Sequence, residues 1–343
     1  MLIHKYMNKI NKSTAAQMII ASTLLTLFIP ILSFSQNVSY QNTVYKQQNP
    51  ILFEIVKDGK ISHILGSMHA GIPIDSYPDI IFQLANKSKS MAFEADYDKA
   101  VNTVRPPKIQ TPDDEKKINQ FLSKNAIQKI KDIYEDEASK VLSQLTAADV
   151  LADLSNHYRN YVDKNFDKKL MNIKYGIDNH LDQHAKIKNK KIIYIDNVEK
   201  MLNEPKIESD QQLLERLLSY PDTLNVGINC FLMSQNYYML GDMTGLKSLN
   251  DKCTSKTILK GVPERNIEWI PKLEPLLQKG GAFITVGADH ITGPNGLESL
   301  LKAKGYSVKR IGGTPANNQR PIYGYGDSLG EPERKFIESG SNQ

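Results

Sequence analysis

Apolar residues along this chain gather in short runs separated by stretches of helical spacing, so the sequence reads as strands alternating with helices. Residues 52–56 and 61–65 flank Lys57-Asp58-Gly59-Lys60, and an Asp-Gly pair between two such runs predicts a β-hairpin. A Gly/Pro loop over 70–73 precedes a predicted helix over 78–87 with Ile80, Ile81 and Leu84 on one face. Residues 90–95 predict the next strand, ending in Glu94-Ala95-Asp96. Residues 191–196 carry the continuous run Ile192, Ile193, Tyr194 and Ile195, the pattern of a strand covered on both faces. Gly176-Ile177-Asp178 opens the helix before it, which ends near Lys188. Helices dominate 210–249, with Gly241-Asp242 breaking the last one. A further helix is predicted over 265–278; Gly280-Gly281 ends it and launches a strand over 282–286. Gly293-Pro294-Asn295-Gly296 is a loop that starts a helix over 297–304, and 306–310 form a closing strand.

Between about 105 and 175 the texture changes. Thr111 is placed as an N-cap with Asp113, Asp114 and Glu115 in the first turn. Helical spacing follows in Ile118, Phe121 and Leu122, then Ile127, Ile130 and Ile133, and again over 147–161. We expect an inserted, mostly helical layer that covers the sheet. Residues 37–49 are rich in Asn and Gln and suit a flexible lead-in to a domain spanning 50–311. Residues 312–343 are rich in Gly, Pro, Asn and Ser and are expected to be a disordered tail.

Lys5, Lys9 and Lys12 stand ahead of an apolar stretch over 18–32, followed by Ser33-Phe34-Ser35-Gln36, with no acidic residue in 1–36. That order is a secretory signal, cleaved near Ser35, and the expected location is periplasmic or secreted. The alternative is an uncleaved leader acting as a membrane anchor. Taking those three lysines from the 43 basic residues, against 38 acidic ones, leaves a net charge of about +2. The basicity thus owes much to the leader, and neither nucleic acid nor an anionic membrane is implied as a partner. Cys230 and Cys253 are the only cysteines, and their spacing does not decide whether they are joined. Zinc sites of paired C-x-x-C type are excluded, so a metal would have to be held by His and carboxylate.

The candidate chemistry lies in two quartets about 220 residues apart, Gly66-Ser67-Met68-His69 and Gly287-Ala288-Asp289-His290. Each follows an apolar run, so each histidine emerges just beyond a strand, where sheet proteins bind ligands. The glycine three residues ahead is read as allowing a tight turn. Two imidazoles and a carboxylate make a plausible open metal site, with Glu94 as the carboxylate and Asp96 or Asp289 as substitutes. Such a site leaves room for a water whose pKa a divalent cation lowers toward neutrality. Arg265 and Asn266, at the start of the predicted helix, suit an ion pair and a cap. His63, His157 and His184 read as surface residues, and His180 is ambiguous. Serine-elbow, phosphate-loop, H-E-x-x-H and dinucleotide motifs are lacking.

The segments Ile64-Leu65-Gly66-Ser67-Met68-His69, Ala92-Phe93-Glu94-Ala95-Asp96, Gly176-Ile177-Asp178, Tyr238-Met239-Leu240-Gly241-Asp242, Glu264-Arg265-Asn266-x-x-Trp269 and Val286-Gly287-Ala288-Asp289-His290-x-x-Gly293-Pro294-x-Gly296-Leu297 occur in this order. So arranged, the chain resembles the TraB/GumN family, to which the Tiki metalloproteases are related. The resemblance implies an α/β fold, a mixed sheet from two related halves that each carry one G-x-x-H. In the Tiki branch it implies a divalent-metal-dependent peptidase. Carried over by position, His69 and His290 are the motif histidines, Glu94 is the family glutamate, and Arg265 with Asn266 lies near the site. The chain has Ile195-Asp196-Asn197 where members often have Leu-Glu-Thr, and lacks a Pro-Trp pair around 145–152; both departures fall outside the proposed ligand set.

The expected function is therefore an exported metal-dependent hydrolase, a peptidase acting on peptide or protein. His69, Glu94 and His290 would hold the cation, and Glu94, Arg265 and Asn266 would serve the chemistry. Manganese, cobalt, zinc and iron all suit such ligands. The alternative is a binding protein that uses the same cleft for a metal, haem or peptide without turnover.

Overall fold

The computed structural model describes residues 46–47, 49–96, 98–99, 115–166, 173–197, 208–253 and 256–312. The leader, the N-cap at Thr111 and the tail beyond 312 lie outside these residues.

β1 (Leu52–Lys57) and β2 (Lys60–Ser67) form the predicted antiparallel hairpin. Asp58 (φ 50°) and Gly59 (φ 69°) both take left-handed conformations, the turn that matches the twist of two strands. α1 (Asp79–Lys87) follows Pro78 at its N-cap and leads to β3 (Ser90–Phe93). Its buried positions are Ile81 and Ala85; Ile80 faces outward, so the apolar stripe lies one residue round from the predicted one.

β4 (Lys191–Tyr194), β5 (Ala282–Gly287) and β6 (Ser307–Arg310) complete an α/β protein with a six-stranded mixed sheet in the order β4-β3-β5-β2-β1-β6. β2, β5, β3 and β4 run parallel to one another, while β1 is antiparallel to β2 and β6. β5 is buried at every position, Thr285 included, as its central place in the sheet requires. β4 carries a similar run yet lies at the sheet edge with Ile192, Ile193 and Tyr194 half-buried, so the expectation of cover on both faces is corrected. Continuous apolarity did not separate a central strand from an edge strand that a helix covers.

The helices place the rest of the core. α5 (Ile177–Ile187) packs on β3 and β4. α9 (Lys256–Lys279) crosses β1, β2 and β5 with Trp269, Leu273 and Leu277 fully inside. α9 begins well before the predicted start at 265 and runs through Pro263, Pro271 and Pro275. An interior proline costs a helix one hydrogen bond and about 3 kcal/mol, and here the buried face of Trp269, Leu273 and Leu277 holds the turns around all three. Arg265 and Asn266 are consequently helix-interior residues that do not cap the start of α9, while the expected ion pair of Arg265 is present.

The described part of the inserted region contains α2 (Lys124–Tyr134), α3 (Ala138–Gln144) and α4 (Ala147–Asn165). Thr146 and Asp149 form a reciprocal cap at the start of α4. These helices rest mainly on α6 (Asp210–Leu218) and α7 (Val226–Leu240), with Tyr158, Tyr161 and Phe166 meeting Ile228, Phe231 and Leu232. α8 (Met243–Cys253) returns along α7 after Gly241, which ends α7 at φ 66°. Cys230 on α7 and Cys253 on α8 are disulfide-bonded, Cα to Cα 6.0 Å. α10 (Leu297–Ala303) leads into β6. Among the described residues no helix is long and apolar enough to cross a membrane.

Candidate active site at the carboxyl ends of the parallel strands

The register determines which residues meet. Ser67 of β2 pairs with Gly287 of β5, and Phe93 of β3 with both Thr285 of β5 and Tyr194 of β4. Beyond those pairs, the Glu94 N–H donates to Thr285 O (3.1 Å) and the Asp196 N–H to Glu94 O (2.8 Å). Four parallel strands thus finish at one edge and release His69, Glu94, Asp196 and His290 there.

Glu94 is the centre. His69 Nε2 lies 3.6 Å from its Oε2, and His290 Nε2 lies 3.7 Å from its Oε1. Both separations are beyond hydrogen-bond length. Oε2 accepts the Gly287 N–H at 3.0 Å, and Oε1 accepts Arg265 Nη2. The side chains of Glu94 and His290 are 8% and 5% exposed, whereas His69 is 38% exposed and forms the open side of the site.

Each imidazole is held by its other nitrogen. His69 Nδ1 is 3.1 Å from Asp178 Oδ2; an ionised carboxylate only accepts, so Nδ1 carries the proton. The other Asp178 oxygen accepts Ser67 Oγ at 2.7 Å. For His290 the partner is Asn266. Its Nδ2 donates to His290 O (3.1 Å) and Asn295 O (2.9 Å), which orients the amide and leaves Oδ1 as acceptor from His290 Nδ1 at 2.6 Å. Both rings therefore turn Nε2 toward the same carboxylate, the tautomer a cation ligand needs.

Charge divides the two histidines. Burial opposes protonation of His69, but the Asp178 carboxylate and its hydrogen bond, aided by Glu94, raise its pKa to about 9. Burial dominates at His290 and lowers it to about 4, despite Glu94 and with help from Arg265. For Glu94 burial works against ionisation, yet His69, His290, Arg265 and the Gly287 N–H lower its pKa to about 2.

Local sequence accounts for these positions. Gly66 and Gly287 do not have positive φ, so the expected tight turn is not the reason for glycine. Space is the reason. A Cβ on Gly66 would stand 2.6 Å from Ile51 Cγ2, and one on Gly287 would stand 3.1 Å from His69 Nε2, 3.5 Å from Glu94 Oε2 and 3.6 Å from His290 Cδ2. Gly176 is the same case: a Cβ there would meet His69 O at 2.0 Å, so glycine lets the first turn of α5 carry Asp178 up to His69. Trp269, one turn from Arg265 on α9, stacks on His290 with ring centroids 4.3 Å apart and lies under the Arg265 guanidinium at 5.1 Å.

The donor types fit a divalent cation: two imidazole Nε2 atoms and one carboxylate. Ligands sharing an ion at about 2.1 Å sit roughly 3.0–3.4 Å apart, so the observed 3.6 and 3.7 Å are wider by a few tenths of an ångström. Among the described residues no group of three or more His, Cys, Asp or Glu is spaced to hold a metal ion as it stands.

Compared with known protein families, residues 51–310 match the TraB/PrgY/gumN family, from the residue before β1 to the end of β6. The chain belongs to the TraB/PrgY/gumN family. No curated protein gives a significant match. Every site residue named above lies inside this TraB/PrgY/gumN match.

Of the residues singled out in the sequence, His69, Glu94, His290, Arg265 and Asn266 come together. Asp96 is half-buried and Asp289 is exposed, with its carboxylate bonded to Asn250, so neither takes the place of Glu94. His157 bonds Asn225, His180 packs edge-on against Phe82, and His184 is turned to Asn86; His63 is half-buried. Sequence reasoning missed the roles of Ser67, Asp178 and Trp269, although all three stood within quoted motifs. Asp196 was set aside as outside the ligand set. It accepts Arg265 Nε at 2.6 Å and so is one residue removed from Glu94.

Proposed function

We propose that this TraB/PrgY/gumN protein is a metal-dependent hydrolase acting on peptides. The observation that carries the reading is the convergence of His69 Nε2 and His290 Nε2 on the two oxygens of one buried carboxylate, each ring locked at Nδ1 by a separate partner. His69, Glu94 and His290 would hold the cation. When bound, a divalent cation supplies Lewis-acid chemistry, polarising a carbonyl and acidifying a water molecule. Asp178 and Asn266 keep the imidazoles in one tautomer. Arg265, itself balanced by Asp196, holds Glu94 ionised. Trp269 closes the buried side of His290 against water. His69, the exposed member, faces the side from which substrate would arrive.

The two G-x-x-H segments end neighbouring parallel strands, which supports reading the sheet as two related halves. Export to a periplasmic or extracellular location is likewise a proposal, supported by the Cys230–Cys253 disulfide, a bond that persists in oxidising compartments.

Hydrolysis of a peptide library by the purified protein, with chelator and then with added manganese, cobalt, zinc or iron, tests the reading. His69→Ala and His290→Ala should each abolish metal-dependent turnover. Cleavage that is insensitive to chelator and unchanged in both variants contradicts it. A second reading, binding without turnover, is favoured by one observation: both Glu94 oxygens already have partners in Arg265 and Gly287, so Glu94 is poorly placed to accept a proton. Tight, histidine-dependent cation binding with no cleavage across the library would select that reading.

A further inference from the structure

Beside the site lies a cavity of about 190 Å³ bounded by α8, the first half of α9 and the loop 292–296. It shares Asn266 and Asp289 with the site's surroundings, so the two spaces have a common wall. Sites that enclose a whole small-molecule ligand measure roughly 300–1,000 Å³. The smaller volume here suits a single side chain of a longer molecule.

Its wall is mostly hydrocarbon, that of Met243, Leu246, Val262 and Pro263. Five of its polar side chains are engaged with one another or with the site: Lys247 Nζ is 3.5 Å from Asp251 Oδ2, Asn250 bonds Asp289, and Asn266 uses Oδ1 on His290 and Nδ2 on two carbonyls. Thr292 and Asn295 add a hydroxyl and an amide at the loop. The Gly-Pro-x-Gly segment forms the facing side. Gly293 takes φ 95°, and a Cβ on Gly296 would stand 2.4 Å from the Thr292 carbonyl, so the turn is too tight for other residues. Asn266 ties this turn to His290 through Asn295 O, which keeps the cavity mouth in register with the reacting groups.

We propose that this cavity is a specificity subsite that takes an unbranched or γ-branched apolar side chain, of leucine or methionine size, from a peptide substrate. The proposal rests on the peptide reading above for its ligand class, but its test needs no turnover. Titration calorimetry would compare Ac-Ala-Leu-Ala-NH2 with Ac-Ala-Ala-Ala-NH2 on the full chain. A methylene in such a pocket is worth roughly 10-fold or more in discrimination, so the leucine peptide should bind at least about 10-fold tighter. Val262→Phe, which fills a half-buried wall position, should erase that preference and leave binding of the alanine peptide unchanged. Met243→Ala, which enlarges the cavity instead, should shift preference toward phenylalanine at the same position. Equal affinity for the two peptides, or a preference that neither variant moves, overturns the subsite. Selective binding with no hydrolysis instead contradicts the hydrolase reading and leaves the subsite standing.

Discussion

Replacing Gly287 by alanine places one methyl group where the three site residues converge. Its Cβ would stand 3.1 Å from His69 Nε2, 3.5 Å from Glu94 Oε2 and 3.6 Å from His290 Cδ2. The backbone at Gly287 (φ −53°, ψ 141°) is open to any L residue, and its N–H would still hold Glu94. Only the contact with His69 is tight, and His69 lies on the open side of the site, so it can yield by a few tenths of an ångström. Losing glycine's freedom in the unfolded chain stabilises by about 0.4–1 kcal/mol, and mild overpacking costs about 1–3 kcal/mol. Overpacking outweighs the gain, and the net destabilisation lies between about zero and 2.6 kcal/mol, toward the lower end because His69 can yield, so the protein stays folded with a lowered urea midpoint. Cation affinity should respond more. Disturbing groups that merely orient ligands costs roughly 10–100-fold, and a methyl among the ligands should reach at least the upper value, about 2.8 kcal/mol at about 1.4 kcal/mol per tenfold. Titration calorimetry with manganese or zinc, alongside urea unfolding, reads both quantities. A folded Gly287→Ala protein that binds the cation as tightly as the parent would refute the placement of the ion among these three side chains.

Three further outcomes follow from the same geometry. Asp178→Asn removes the negative charge that holds the His69 proton and leaves an amide acceptor like the one at His290, so NMR of the metal-free protein should show the His69 pKa falling from about 9, while metal-dependent turnover drops roughly 10–100-fold; an unmoved His69 titration would rule out the pairing. Stability of the metal-free protein should fall on acidification: His290, lowered from 6.5 to about 4, contributes above pH 6.5 and loses that contribution toward pH 4, and Glu94, lowered from 4.5 to about 2, loses its own toward pH 2. His69, raised to about 9, works in the opposite direction and is lost as pH rises from 6.5; urea midpoints that stay level from pH 7 to pH 4 contradict this balance. Cys230→Ser with Cys253→Ser opens a link across a sequence separation of 23, and should cost about 3 kcal/mol in urea unfolding; an unchanged midpoint would mean that packing between α7 and α8 alone sets their stability.

Much of the fold was legible because its signals are local. The Asp58-Gly59 turn, the Gly280-Gly281 break before β5 and the Gly176 start of α5 each act on neighbouring backbone, and each element appeared where these residues placed it. The three proposed ligands were legible for a related reason: each lies within three residues of the end of a strand, and parallel pairing brings such ends together. What supports them was not legible. Asp178 reaches His69 across 109 residues, and Asp196 reaches Arg265 across 69; nothing in the local pattern of either carboxylate encodes its partner. The start of α9 was hidden by Pro263, and the edge position of β4 by a run as apolar as that of a central strand. Gly66 and Gly287 illustrate the limit most sharply: glycine was read as conformational freedom, whereas side chains from distant segments require the absence of a Cβ.

Elemental analysis of the purified protein, beside His69→Ala and His290→Ala, measures the central claim directly. The account predicts about one divalent cation per chain in the parent and its loss from both variants, with folding retained by circular dichroism. A parent protein that takes up no cation in stoichiometric amount, or variants that keep it, would contradict a shared site built on His69, Glu94 and His290.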